Sequence, residues 1–159
     1  MTEPEAGPLA PNAIAEALAR NPDAAVLVFP REDGQYASVA SDILGLLEEA
    51  DVRADYATDP MATGVYIQKS ADIVLPWILV IVQTLQTTGG VANTVEGLLT
   101  MIRWIVGRQP GAKVELRLAL TRRPGGGETR KLELIIGRGG LDDQAERTIR
   151  DAIDAFVSE

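Results

Sequence analysis

The stretch ADIVLPWILVIVQTLQTTGGVANTVEGLLTMIRWIVGR, residues 71–108, is the most apolar part of the chain. No charged side chain occurs between residues 73 and 95, and Gly89-Gly90 divides the stretch in two. In the second part, apolar residues recur at steps of three or four, as on one face of an α-helix: Val91, Val95, Leu98, Ile102 and Ile105. We predict a helix over 76–88 as well. Gly89-Gly90 then either kinks one long helix or turns a helical hairpin.

Downstream of this stretch, residues 113–136 alternate between apolar and charged side chains around the turn Pro124-Gly125-Gly126-Gly127. This pattern predicts a β-hairpin with one buried face and one charged face, in which opposite charges can pair across the strands. A last helix follows, with Asp142 or Asp143 near its N-terminus. Its apolar stripe is formed by Leu141, Ala145, Ile149, Ala152, Ile153 and Phe156.

Upstream, Asn12 is a candidate N-cap for a short helix that stops at Asn21-Pro22. A strand over 24–29, a helix from Ser38 or Ser41 to Ala50, and strands over 52–57 and 64–68 follow. The elements together predict an α+β fold: a two-layer domain with helices packed on a small mixed or antiparallel sheet, a central apolar helical segment (71–108), and a C-terminal β-hairpin plus helix. We expect residues 12–159 to form this single domain, and residues 1–11, which are acidic and proline-rich, to form a disordered tail without the features of a secretory signal.

The composition excludes several kinds of chemistry. The chain has 159 residues, no histidine and no cysteine, so Ser-His-Asp catalysis, thiol catalysis and zinc sites built on His or Cys are ruled out. Its net charge of −8 argues against binding nucleic acid. The absence of cysteine is typical of a cytoplasmic protein.

No motif in the chain identifies a catalytic, cofactor-binding or metal-binding residue. The loop Gly137-Arg138-Gly139-Gly140 joins a strand to a helix N-terminus, where backbone amides can hold an anion. It lacks the Gly-Lys-Ser/Thr of a Walker A motif, and Asp142 and Asp143 would repel phosphate, so we interpret it as a connection. The remaining carboxylates are spread along helix surfaces. We therefore predict no enzymatic activity and no cofactor.

The central stretch has more apolar surface than one small core can bury, which favours a homo-oligomer. The candidate interaction residues are Trp77, Leu79, Val82, Leu98, Ile102, Trp104 and Ile105. The alternative is that residues 73–106 insert into a membrane, which would make the protein inner-membrane associated, with the two tryptophans near the ends as interfacial anchors. The first reading predicts an adaptor that self-associates through its central helices, and the second predicts a membrane-associated effector component.

The layout of residues 25–156 resembles the effector-associated constant component family of bacterial proteins. The resemblance rests on AVLVF (25–29) followed by DILGLLEEADV (42–52), on the apolar helix TTGGVANTVEGLLTMIRWIVGR (87–108), on KVELRLAL (113–120), on Arg122-Arg123-Pro124-Gly125, and on the final strand and helix. This chain departs from the family pattern by its helix before the first strand and by its longer hairpin tip.

The resemblance implies a non-enzymatic component of a bacterial conflict system, an immunity-like system for antiviral defence that is regulated by nucleoside triphosphates. Such a component works beside a separate effector protein, for example a protease or another toxic domain. The family has no catalytic residues to transfer to this sequence.

Overall fold

The computed structural model describes residues 9–31, 35–59, 65–66, 73–83, 88–108, 111, 113–123, 129–137 and 140–158. Within these ranges there are four helices: α1 (Pro11–Arg20), α2 (Val39–Glu49), α3 (Thr88–Arg108) and α4 (Asp143–Val157). The strands are β1 (Val26–Val28), β2 (Tyr36–Ala37), β3 (Ala54–Tyr56), β4 (Val65–Tyr66), β5 (Ile73–Val74), β6 (Ile78–Gln83), β7 (Val114–Arg123) and β8 (Arg130–Ile136).

The main sheet is mixed. Its strands run in the order β3, β1, β6, β7, β8, and β5 pairs with the start of β7 on the same side as β6. The pairs β1–β3 and β6–β7 are parallel, whereas β1–β6 and β7–β8 are antiparallel. The sheet therefore contains two parallel units, β1–α2–β3 and β6–α3–β7. They are joined by the antiparallel pairing of β1 with β6. A separate two-stranded sheet joins β2 to β4.

The sheet separates two apolar clusters. On its inner side, α2, α3 and α4 pack on a large core that includes Val80, Leu98 and Ile153. On its outer side, α1 packs through Ile14 and Leu18 on the neighbouring faces of β1 and β6. The α+β class, the hairpin and the C-terminal helix are confirmed. Helix α1 adds a third layer over part of the sheet, which the two-layer prediction did not include.

The helix that we predicted over 76–88 is wrong in its first part, because Ile78–Gln83 is the central strand β6 and Ile73–Val74 is the short strand β5. Strand β6 is buried on both faces, so its sequence is continuously apolar and shows no alternation. Its β-branched residues fit a strand better than a helix. Gly89 and Gly90 lie in the first turn of α3, where they neither kink a helix nor turn a hairpin.

Helices α2 and α3 approach each other closely at Gly97. A Cβ atom at this position would lie 2.7 Å from Cγ2 of Val52 and 3.3 Å from Cβ of Ala50, so only glycine fits without a shift of its neighbours. One turn earlier on α3, the side-chain amide of Asn93 donates to the carbonyl oxygens of Ala50 and Asp51, both at 3.2 Å. Asn93 thereby caps the C-terminus of α2, where Asp51 has a positive φ of 62°.

Most of the smaller elements agree with the sequence predictions, with two differences at the N-terminus. The chain enters α1 through Ala10 and Pro11 without a side-chain cap, so Asn12 is not the N-cap. Leu9 is buried against the outer cluster, so the ordered chain begins before residue 12. Residues 1–8 of the predicted tail, all of the turn at 124–127, and residues 138 and 139 of the predicted connection lie outside the described residues. At the other end, Asp142 caps α4 by accepting from the Ala145 amide at 2.8 Å.

The membrane alternative depends on the hydropathy of the helices. In the ranges that the structure describes, none of the helices combines the length and the apolar character that a bilayer crossing requires.

Candidate functional site

Five of the seven candidate interaction residues are core residues of this chain. Leu79, Val82, Leu98, Ile102 and Ile105 are at most 3% exposed. Leu79 packs under α1, and the other four belong to the core beneath α2, α3 and α4. Their apolar character is therefore satisfied within the monomer. Of the other two, Trp77 is half-buried against the outer cluster and Trp104 is exposed. The structure does not bring these two together, because Trp77 lies on the outer side of the sheet and Trp104 lies on α3 of the inner layer.

Trp77 is positioned by a bulge between β5 and β6. Three residues, 75–77, span the interval that two residues, 116–117, span on β7. The Leu75 amide still donates to the Glu115 carbonyl at 2.9 Å, and the Leu75 carbonyl accepts from Nε of Arg117, also at 2.9 Å. The guanidinium of Arg117 lies 5.2 Å from the centre of the Trp77 ring. The bulge thus places an aromatic ring and a cation side by side on the outer face.

The outer face of β5, β7 and β8 is not covered by α1, whose contacts are with β1, β6 and Ala119 of β7. We call the uncovered part the open face; its residues are Val74, Trp77, Glu115, Arg117, Glu133 and Ile135. Val74 and Ile135 flank Glu115 in one row across three strands, and they are 40% and 67% exposed. Two exposed apolar side chains therefore lie in the same row of the sheet, with Glu115 between them.

Strand β8 forms the border of the open face. It pairs with β7 on one side, and none of the described strands pairs with its other side. Its outer-face residues Lys131 and Glu133 are exposed, and Glu133 lies opposite Arg117 of β7. The Lys131 ammonium lies 5.9 Å from the Trp77 ring. On the inner face, Leu132 and Leu134 are only half buried although they border the main core.

The exposed surface of the helical layer is charged. Trp104 is 38% exposed, and the Arg108 guanidinium stacks over its ring at 4.5 Å. The Glu146 carboxylate forms ion pairs with the guanidinium groups of Arg103, at 2.8 Å, and Arg150, at 3.1 Å. The Arg150 guanidinium also forms an ion pair with the Glu96 carboxylate at 2.6 Å. Two of these contacts, Arg103–Glu146 and Arg150–Glu96, join α3 to α4, and the third lies within α4.

Three side chains among the described residues have a shifted pKa. Hydrogen bonds from Arg103 and then Arg150 lower the pKa of Glu146, and the hydrogen bonds that Arg150 donates to Glu96 and then to Glu146 raise the pKa of Arg150. Burial raises the pKa of the Tyr36 phenol, which hydrogen-bonds to Thr58. All three shifts move the pKa further from neutrality, whereas acid–base catalysts are tuned toward it. The described part of the chain also brings together no group of three or more carboxylates that could hold a metal ion.

A groove of about 650 Å³ lies at the opposite edge of the sheet, between the ends of α1 and α2 and strand β3. Its charged lining residues carry both signs and are all exposed: Arg20, Asp23, Glu48, Asp51, Arg53 and Asp55. Its two buried lining residues, Ala24 and Val52, are apolar. The groove therefore offers no set of buried polar groups that would orient a small ligand.

Sequence reasoning missed Val74 and Ile135 as surface residues. Ile135 was detectable, because in RKLELII (130–136) it falls on the charged side of the alternation. Val74 was not, because it lies in the apolar run that we interpreted as a helix. Comparison of the chain with models of protein families, with curated proteins and with solved structures gave no match.

Proposed function

We propose that this protein is a non-enzymatic adaptor that self-associates and acts in a bacterial conflict system beside a separate effector protein. The conflict-system context comes from the family resemblance of residues 25–156. The self-association rests on the surface of the fold, and the contact surface lies at the border of the open face rather than along the stripe of Leu98 and Ile102.

The observation that carries the proposal is the open face ending at strand β8. A strand at the edge of a sheet presents backbone N–H and C=O groups that can pair with another chain. Here the edge strand has seven residues, exposes Ile135 on one face and leaves Leu132 and Leu134 half buried on the other. A second chain would remove this apolar area from water and form hydrogen bonds with the backbone groups at the edge of β8.

The absence of enzymatic activity is part of the same proposal. It is supported by the inventory of the chain, which has no histidine or cysteine. It is supported further by the surface position of the described carboxylates and amines, since the buried polar side chains among the described residues are the hydroxyl groups of Tyr36, Thr94 and Thr121.

The test is the absolute mass of the purified full chain, measured by light scattering over a concentration series without detergent. We expect the mass to rise with concentration from 17.0 kDa to twice that value. A mass that stays at 17.0 kDa up to millimolar concentration would refute self-association. The effector part is tested separately, by co-purification with candidate effectors encoded beside this protein, and failure there would remove the conflict-system assignment.

A further inference from the structure

We infer that the partner at strand β8 is a second copy of this chain, paired antiparallel through β8 itself about a two-fold axis at Leu132. This inference deepens the proposed self-association and depends on it. It adds the surface, the relative direction of the two strands and the register, none of which follows from self-association alone.

The charge pattern of β8 is self-complementary in one register. In a continuous sheet, a two-fold axis perpendicular to the sheet pairs residues of the same face, so the axis lies midway between one residue and the same residue of the second copy. Centred on Leu132, the pairing sets Lys131 opposite Glu133 of the second copy, and by symmetry Glu133 opposite Lys131 of the second copy. Opposite charges that face each other on neighbouring strands stabilise the pairing.

The neighbouring registers are less favourable. A shift of the axis to Lys131 sets two lysines opposite each other, and a shift to Glu133 sets two glutamates opposite each other. Like charges directly opposite across a strand pair destabilise it. An axis at Leu134 avoids both clashes but leaves Glu133 opposite Ile135 and forms no ion pair. The order Lys131-Leu132-Glu133 therefore selects the register centred on Leu132.

Two further features of the fold agree with this register. On the outer face, Glu133 already lies opposite Arg117 of its own β7, so in the dimer it is flanked by a cation on each side. On the inner face, the half-buried Leu132 meets Leu132 of the second copy and extends the main core across the interface. The two six-stranded sheets become one continuous twelve-stranded sheet.

The experiment uses single charge reversals and their mixture. In Lys131→Glu and in Glu133→Lys, both symmetry-related ion pairs become like-charge pairs, so each variant alone should dimerise at least about tenfold more weakly than the natural protein. In an equimolar mixture, each chain of the first variant meets opposite charges on a chain of the second. The mixture should therefore recover heterodimers with an affinity close to that of the natural dimer.

Three controls make the outcomes distinct. Glu49→Lys makes the same reversal at an exposed position of α2 and should leave the dissociation constant unchanged. Circular dichroism must show that every variant is folded. Sedimentation velocity with one variant labelled with a fluorophore measures the heterodimer directly.

Each outcome bears on the inference. A dimer that neither reversal weakens overturns the β8 interface and leaves the proposed self-association standing. Two weakened variants that fail to recover on mixing overturn the register at Leu132. A natural protein that stays monomeric overturns both this inference and the proposed self-association, and it identifies Lys131 and Glu133 as charges that keep the edge from pairing.

Discussion

Gly97→Ala should destabilise the protein although alanine is the better helix former. Replacing glycine by alanine inside a helix stabilises it by about 1 kcal/mol through propensity. At Gly97 the added methyl group would lie 2.7 Å from Cγ2 of Val52, a short β-branched side chain that is 4% exposed and has little room to move. Overpacking of this kind costs about 1–3 kcal/mol. The net change in the free energy of unfolding should therefore be a loss of up to about 2 kcal/mol.

Gly45→Ala is the matched control, because Gly45 lies inside α2, is exposed and has no atom within 4 Å of an added Cβ. It should gain about 1 kcal/mol. Urea unfolding followed by circular dichroism gives both values, and the two variants should differ by about 1–3 kcal/mol. Adding Val52→Ala removes Cγ2 and should make Gly97→Ala less harmful than it is in the natural background. If Gly97→Ala stabilised the protein as much as Gly45→Ala does, the close approach of α2 and α3 would be refuted.

Three further predictions concern the core, the helical layer and the small sheet. Leu79→Asp should unfold the chain rather than dissociate an oligomer, because Leu79 is fully buried and an isolated carboxylate there costs several kcal/mol. A native far-ultraviolet circular dichroism spectrum of this variant would contradict the position of Leu79 in the core. Glu146→Gln should reduce the loss of stability at acid pH. The lowered pKa of Glu146 gives stability that is present above the unfolded-state pKa of about 4.3 and is lost as pH falls through the folded pKa. Urea titrations between about pH 3 and pH 7 test this, and plots of unfolding free energy against pH that run parallel for the two proteins would refute it. Tyr36→Phe should cost about 1–3 kcal/mol at pH 7, because the phenol oxygen accepts from the Thr58 amide at 3.0 Å and the variant loses that acceptor. Unchanged stability in urea would count against this contact.

The C-terminal hairpin was predictable because it is buried on one face only. Leu116 and Leu118 point into the core while Glu115 and Arg117 lie on the outer side, so the period of two is visible in the sequence. The antiparallel register that follows, with Arg117 opposite Glu133, agrees with the expected cross-strand charge pairing. The first and last helices were predictable for the same reason, since each has one apolar stripe.

Strand β6 was not predictable from periodicity. Ile78 and Leu79 point to opposite faces of the sheet, and both are fully buried, one under the inner helices and one under α1. A strand covered on both faces has the same uninterrupted apolar sequence as a buried helix segment. The error had a second consequence, because it assigned Leu79 and Val82 to a surface that does not exist in the folded chain.

The open face was only partly predictable, because it depends on where α1 ends its coverage of the sheet. The sequence of Pro11–Arg20 does not indicate which strands this helix packs on. The helix is ten residues long and covers only part of the sheet. The exposure of Val74 and Ile135 is a property of the whole fold. The neighbourhood of Val74 is apolar and points to the interior, whereas the alternation in residues 130–136 places Ile135 on the charged side.

The antiparallel contact between β1 and β6 also bears on the order in which the chain folds. It joins Val26 to Val80, which are more than fifty residues apart, through only three residue pairs. The contacts on the other side of β6 connect segments that are closer together in the chain, and β7 with β8 form a hairpin. Loop closure costs more entropy for a longer loop, and the β7–β8 hairpin closes the shortest loop of these pairings, so we expect the hairpin to form early. The open face would then begin to form with the hairpin, because four of its six residues lie on β7 and β8.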